Sequence, residues 1–184
     1  MEYREHRGFP VEYAALGFLI EAPRHGYDLL QDLAGGLGGL WRVAQSQLYS
    51  VLHRLVERGW AEVEVEPQED RPSRHTFSVT KAGRHAFWAW ACSPVAHPRD
   101  LRVVFLAKAY FLRRLRPEAV GRLIDEQTAQ LAEALASLEV RGSVASDDGA
   151  LGAAACSFRV HQMRSALRWL EESRSLLETA KEEA

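Results

Sequence analysis

Residues 46 to 64 read SQLYSVLHRLVERGWAEVE, a helical pattern whose polar positions hold serine, glutamine, tyrosine, histidine and arginine. An ordinary solvated face would be dominated by Glu and Lys. Gln47 can make two hydrogen bonds to adenine and Arg54 two to guanine, and His53 can reach base edges or phosphates beside them. The hydroxyls of Ser46, Tyr49 and Ser50 suit phosphate oxygens near a helix N-terminus, where the dipole also favours anions. A second set follows downstream: Arg71, Arg74 and His75, then Lys81, Arg84 and His85. A cationic row of this kind positions a polyanion without reading its sequence. Each set has a plainer reading, as a solvated helix face and as solubilising charge.

These residues need elements to hold them. At 100° per residue, Leu48, Val51, Leu52, Leu55 and Val56 form a core stripe. Ser46, Ser50, His53, Arg54 and Glu57 fall on the opposite side, with Gln47 and Tyr49 on its shoulders. The spacing predicts a helix that opens near Ala44 to Gln45 and ends at Gly59. Upstream, VEYAALGFLIEA (11–22) reads as an apolar helix stopped before Pro23, and HGYDLLQDLAGGLGG (25–39) as a second that fails in glycines. Downstream, WAEVEVE alternates with period 2, PQEDRPS is turn-prone and RHTFSV is strand-like, which makes a β-hairpin. TKAGRHAFWAWAC then resumes helix, with Thr80 as N-cap. Three helices followed by a hairpin is the winged helix-turn-helix order, in which the third helix enters the major groove of double-stranded DNA and the hairpin tip lies along the backbone.

Composition changes at SPVAHPRD (93–100), dividing the chain into a winged helix-turn-helix DNA-binding domain (1–93) and a helical dimerisation domain (94–184) in which an effector could bind. LRVVFLAKAYFLRRL (101–115) is apolar nearly all round, so a partner subunit is expected to cover it. Pro117 can open the next helix, where Val120, Ile124, Gln127, Leu131, Leu135 and Leu138 repeat at three and four residues. RGSVASDDGALG (141–152) reads as a loop, and Phe158, Met163, Leu167, Leu170 and Leu177 as the seam of a last helix. The fold class is therefore mostly α with a small β-hairpin: a winged helix followed by a long-helix dimerisation domain. A two-fold dimer would set two recognition helices about 34 Å apart, on successive major grooves.

Three stretches in order, ALGFLIEAPRHGYDLLQDL, SQLYSVLHRLVERGWAEVE and RPSRHTFSVTKAGRHAFWAW, resemble the PadR family of bacterial transcriptional regulators over roughly residues 10 to 92. The resemblance implies a homodimeric repressor on a palindromic operator, with Tyr27, Tyr49, Arg71 and Arg74 near the DNA. It also implies a small, often aromatic, effector. Ala44 and Ser46 stand where the family pattern has a serine N-cap and a glycine. Of five tryptophans, Trp88, Trp90 and Trp169 are the candidate effector contacts. Trp88 and Trp90 lie two apart on the helix leaving the wing, about 200° around its axis, so that one can face each domain.

Other functions fit less well. The chain has 184 residues, 47% of them hydrophobic, and a net charge of −2, so it can bury a core and must bind any polyanion through a local basic patch. Cys92 and Cys156 lack the spacing of a disulfide framework, as expected for reduced thiols. Metal sensing would rest on Cys92 with His97 or Cys156 with His161, and residues five apart do not share a helix face. No enzyme is expected, and no cofactor or metal. A Gly-rich phosphate loop and a nucleophile elbow are both missing, and AGGLGGL lacks the strand before and helix after that a dinucleotide site requires. With no apolar run of about 18 residues, a soluble cytoplasmic protein that does not engage the membrane is expected. A helical interaction module without DNA binding is the remaining alternative.

Overall fold

Helix α1 (Val11–Glu21) is apolar on nearly every side and is buried accordingly: Val11, Ala14, Ala15, Leu16, Phe18 and Leu19 are all inaccessible or nearly so. In the computed structural model, which describes residues 11–36, 43–66, 74–143 and 149–179, the chain divides into two compact units, Met1–Ala91 and Cys92–Ala184. In the first unit α1 packs against α2 (Gly26–Gly35), α3 (Gln45–Glu57) and α4 (Lys81–Ala91). Leu48, Val51, Leu52 and Leu55 of α3 are buried, as their spacing requires, alongside Leu29, Leu33, Phe77 and Phe87.

The sheet has three strands in the order β1 (Arg24–His25), β3 (Arg74–Val79), β2 (Ala61–Glu66), all antiparallel. The register sets Ala61 opposite Val79 and Glu66 opposite Arg74. β1 was not legible in the sequence, because two residues show no periodicity; it pairs Arg24 with Phe77 and His25 with Thr76. The alternation of β2 does not become burial either. Beyond Ala61, Val63 and Val65 are exposed, because β2 is an edge strand that runs out past the core.

The wing is tied to α3 and α4 at one point. Gly59, at φ 68°, ends α3: its amide donates to Val56 O at 2.9 Å and that of Trp60 to Leu55 O at 2.8 Å, the paired bonds of a Schellman cap. The Thr80 hydroxyl donates to Gly59 O at 2.6 Å and accepts from the Gly83 amide at 3.1 Å, so it caps α4 as the sequence predicts and also holds the end of α3. Gly83 lets α4 approach this closely. A Cβ there would stand 2.0 Å from the carbonyl oxygen of Trp60.

In the second unit a 3₁₀ turn (Pro98–Asp100) and a π turn (Leu101–Phe105) lead into α5 (Leu106–Leu115). Of the all-round apolar stretch, Phe105, Phe111 and Leu112 are fully buried in a single copy, whereas Val103, Val104 and Leu106 are half-buried. Lys108 is buried with them and donates to Ser93 O at 2.6 Å and Ser93 Oγ at 3.2 Å. Gln127 of α6 (Val120–Ser143) binds Val95 as a strand would, accepting from its amide at 2.6 Å and donating to its carbonyl at 3.1 Å. α7 (Gly149–Glu178) runs antiparallel to α6, fixed by Arg174–Asp125 and by Arg164–Glu139 at 2.7 Å. Leu170 and Leu177 are buried, whereas Phe158 is exposed because it lies about 120° around the helix from Leu170. Among the described residues, no helix is long and apolar enough to cross a membrane.

Two outcomes follow from this packing. Gly83→Ala should lower the unfolding free energy by about 1–3 kcal/mol or more, since the backbone carbonyl it meets cannot turn away. Gly35→Ala, which meets nothing within 4 Å, should be neutral or stabilising by up to about 1 kcal/mol; urea unfolding of both variants checks the contrast. Burial lowers the Lys108 amine from an ordinary 10.5 to about 8, against opposing contributions from Cys92 and Asp100. Its folded pKa is below its unfolded one, so the unfolded chain binds more protons between pH 8 and 10.5 and stability rises with pH across that window. The stability difference between Lys108→Met and wild type should therefore change in favour of wild type from pH 8 to 10.5, and a constant difference would contradict the assignment.

Candidate nucleic-acid interface

The sequence of α3 leaves its N-terminus open. Ala44 occupies the N-cap with extended backbone and has no side chain to accept from the first-turn amides, so these donors remain suited to an anion. Ser46, Gln47, Ser50, His53, Arg54 and Glu57 are all exposed. The Ser50 hydroxyl is engaged locally, donating to Ser46 O at 2.9 Å; as an acceptor it remains available. Tyr49 is half-buried with its ring against Gly26, where a Cβ would stand 2.9 Å from the phenol oxygen. The glycine of HGYDL is thus the seat of the Tyr49 ring, and it sets α2 close to α3. Tyr27, next along, is 61% exposed.

Arg54, expected opposite the core as a reader of guanine, is exposed but is also engaged within the protein. It follows Gln47 by seven residues, two turns, and so shares the same shoulder of α3, where it meets α1. Its Nε donates to Glu12 Oε1 at 3.0 Å, and Arg58 Nη1 donates to Glu12 Oε2 at 2.9 Å. Glu12 is buried and was missed as a site residue. Its signal was an acidic residue in a helix otherwise almost wholly apolar, which must find a cation once that helix is buried.

The same corner accounts for an aromatic that was expected at an effector site. Trp90 stacks on Tyr13 at 4.8 Å with rings 2° from parallel, and Tyr13 lies 6.1 Å from Trp60, over which Arg58 sits at 5.4 Å. Burial raises the Tyr13 pKa, Glu12 adds to the rise and Arg58 opposes it. Trp90 is therefore a core residue of the winged unit, with a neighbour on its face where a ligand would have to stack. Trp88 is half-buried and packs edge-on to Phe87 at 5.0 Å.

On the wing, Arg74 and His75 are exposed at the start of β3, across from Glu66 and Val65. Arg71 lies outside the described residues. Lys81, Arg84 and His85 are exposed on the first turns of α4, and Glu62, Glu64 and Glu66 on β2. Cations and carboxylates thus sit on different elements of one small motif. In the second unit Trp169 packs edge-on to Phe105 at 6.0 Å and lines a cleft of about 550 Å³ with Leu101, Arg102, Leu106, Phe158 and His161.

Residues 15–89 match the Transcriptional regulator PadR-like family. The negative transcriptional regulator PadR of Bacillus subtilis (strain 168) is 25% identical over 129 residues, 70% of this chain and 71% of its own. Among solved structures, Bacillus subtilis PadR in complex with operator DNA is similar at 21% identity with a TM-score of 0.46, over 92% of this chain and 99% of that one. The same protein in complex with p-coumaric acid gives 20% identity and a TM-score of 0.42, over 93% and 100%.

Proposed function

From the match of residues 15–89 to the PadR-like family of transcriptional regulators, we propose that this chain is not an enzyme but a cytoplasmic repressor that binds a palindromic operator as a homodimer and releases it when a small aromatic effector binds. The observation that carries the reading is the exposed face of α3, with its uncapped N-terminus, in the same small unit as the exposed cations of β3. In this reading α3 lies in the major groove with Gln47 and His53 toward base edges. Ser46, Ser50, Tyr27 and Tyr49 meet the backbone, and Arg71, Arg74 and His75 of the wing track the flanking phosphates. The relative's description as a negative regulator supports repression.

The dimer contact is assigned to α7. Leu151, Phe158, Trp169 and Leu176 follow one another at seven, eleven and seven residues, which places all four within about 20° of one line along the helix. Leu151, Phe158 and Leu176 are exposed in a single copy, and Trp169 is half-buried. The stripe is about 37 Å long at 1.5 Å per residue, and a second α7 is the partner that matches its length and character. The effector belongs in the cleft beside it, where a flat aromatic acid would lay its ring on Trp169 and its carboxylate near Arg102. Trp88 and Trp90 are not part of that site.

Selection of duplexes from a randomised pool tests the function, and enrichment of no duplex would reject it. On the enriched duplex Gln47→Ala should cost about 1–3 kcal/mol with little effect on random DNA, whereas Arg74→Ala should weaken both and reduce the salt slope by about one. Sedimentation tests the assembly: wild type should be dimeric at micromolar concentration and Phe158→Glu monomeric with its winged unit folded. A wild-type monomer would overturn the assignment of α7.

A further inference from the structure

We propose that Glu12 is a specificity-determining positioning residue, which keeps Arg54 and Arg58 off the DNA backbone. The inference rests on the reading that α3 enters the groove. Two guanidiniums on the last turns of a DNA-facing helix would find phosphates in any sequence, and every such contact adds affinity that does not discriminate. Glu12 prevents this from the protein's interior. Its carboxylate is 8% exposed and gives one oxygen to each arginine, Arg54 Nε at 3.0 Å and Arg58 Nη1 at 2.9 Å. A carboxylate that deep must be neutralised, so the two bonds are held by the cost of leaving it alone. Arg58 is held a second time by the Trp60 ring, 5.4 Å from its Cζ. Both arginines remain about half exposed, at 46% and 49%, so water or a phosphate could take them if Glu12 released them.

The geometry also makes the exchange selective. Glu12→Gln keeps the shape but removes the charge and replaces one acceptor with an amide donor, which cannot face a guanidinium N–H. At least one arginine must leave. No buried charge is stranded, since the side chain that stays inside is neutral and those that leave are already half in water. Loss of fold is therefore not the expected result, and the unfolding midpoint of the variant checks this.

The experiment measures anisotropy on two duplexes of equal length, one enriched by the wild-type chain from a randomised pool and one of random sequence, over a range of salt. Glu12→Gln should tighten binding to the random duplex at low salt, steepen its salt slope by roughly 0.9 for each arginine released, and lower the ratio of specific to random affinity. In an Arg54→Ala/Arg58→Ala background, which by itself strands the buried carboxylate, the added Glu12→Gln should raise the unfolding midpoint and should not steepen the salt slope. Destabilisation alone would weaken both duplexes and would not steepen the slope. An unchanged or shallower slope overturns the inference, as does steepening that persists without the arginines. A wild-type chain that enriches no duplex overturns this inference together with the proposed function, whereas enrichment with an unaltered Glu12→Gln slope overturns this inference alone.

Discussion

The winged unit depends on how closely the first turn of α4 approaches the backbone of Trp60. No side chain fits there, so position 83 is glycine, and the contact is held by the Thr80 hydroxyl between the end of α3 and the start of α4. Where α3 stops is fixed by Gly59, whose left-handed backbone turns the chain at once into β2. The helix assigned to DNA, the wing and the helix that leaves it are thereby referred to one small junction. The two motifs it contains, VERG and TKAG, are far apart in sequence and make sense only together.

Charge is organised on the same small scale. The chain carries 23 Lys and Arg against 25 Asp and Glu, so its overall charge cannot attract a polyanion, and selectivity must come from which cations are left available. The structure divides them. Arg54 and Arg58 are held by a buried carboxylate, Arg24 by Glu21 and Asp32 at 2.8 and 2.7 Å, and Arg174 by Asp125 and Glu178. Arg74, Lys81 and Arg84 stand exposed in and just after the wing. For a DNA reader this matters, because a cation already bonded within the protein adds little to non-specific affinity.

The second unit solves a different problem. Much of its most apolar segment is buried within one copy, and among the described residues the large apolar side chains left exposed are Val140 on α6 and Leu151, Phe158 and Leu176 on α7. Among the described residues, Lys108 and Gln127 are the polar exceptions in that core, and both reach back to backbone in the segment that opens the unit, at Ser93 and Val95. They tie the irregular stretch around the two prolines to the helices, where no regular ladder could hold it.

What the sequence determined by itself are the features set by local periodicity and backbone chemistry. The core stripe of α3, its stop at Gly59, the Thr80 cap and the hairpin strands all follow from spacings within a dozen residues, and the PadR-like resemblance rests on the same segments. Tertiary structure decided what depends on a neighbour distant in the chain. β1 exists only because β3 lies beside it; Val63 and Val65 are exposed only because β2 is an edge. Arg54 is drawn to Glu12, 42 residues away, and Trp90 is covered by Tyr13 instead of being open to a ligand. Helical projection gives the direction in which a side chain leaves its axis. It cannot give what waits there, because a guanidinium turns toward whichever charge is nearest and least hydrated, and an aromatic ring toward whichever flat surface the packing supplies.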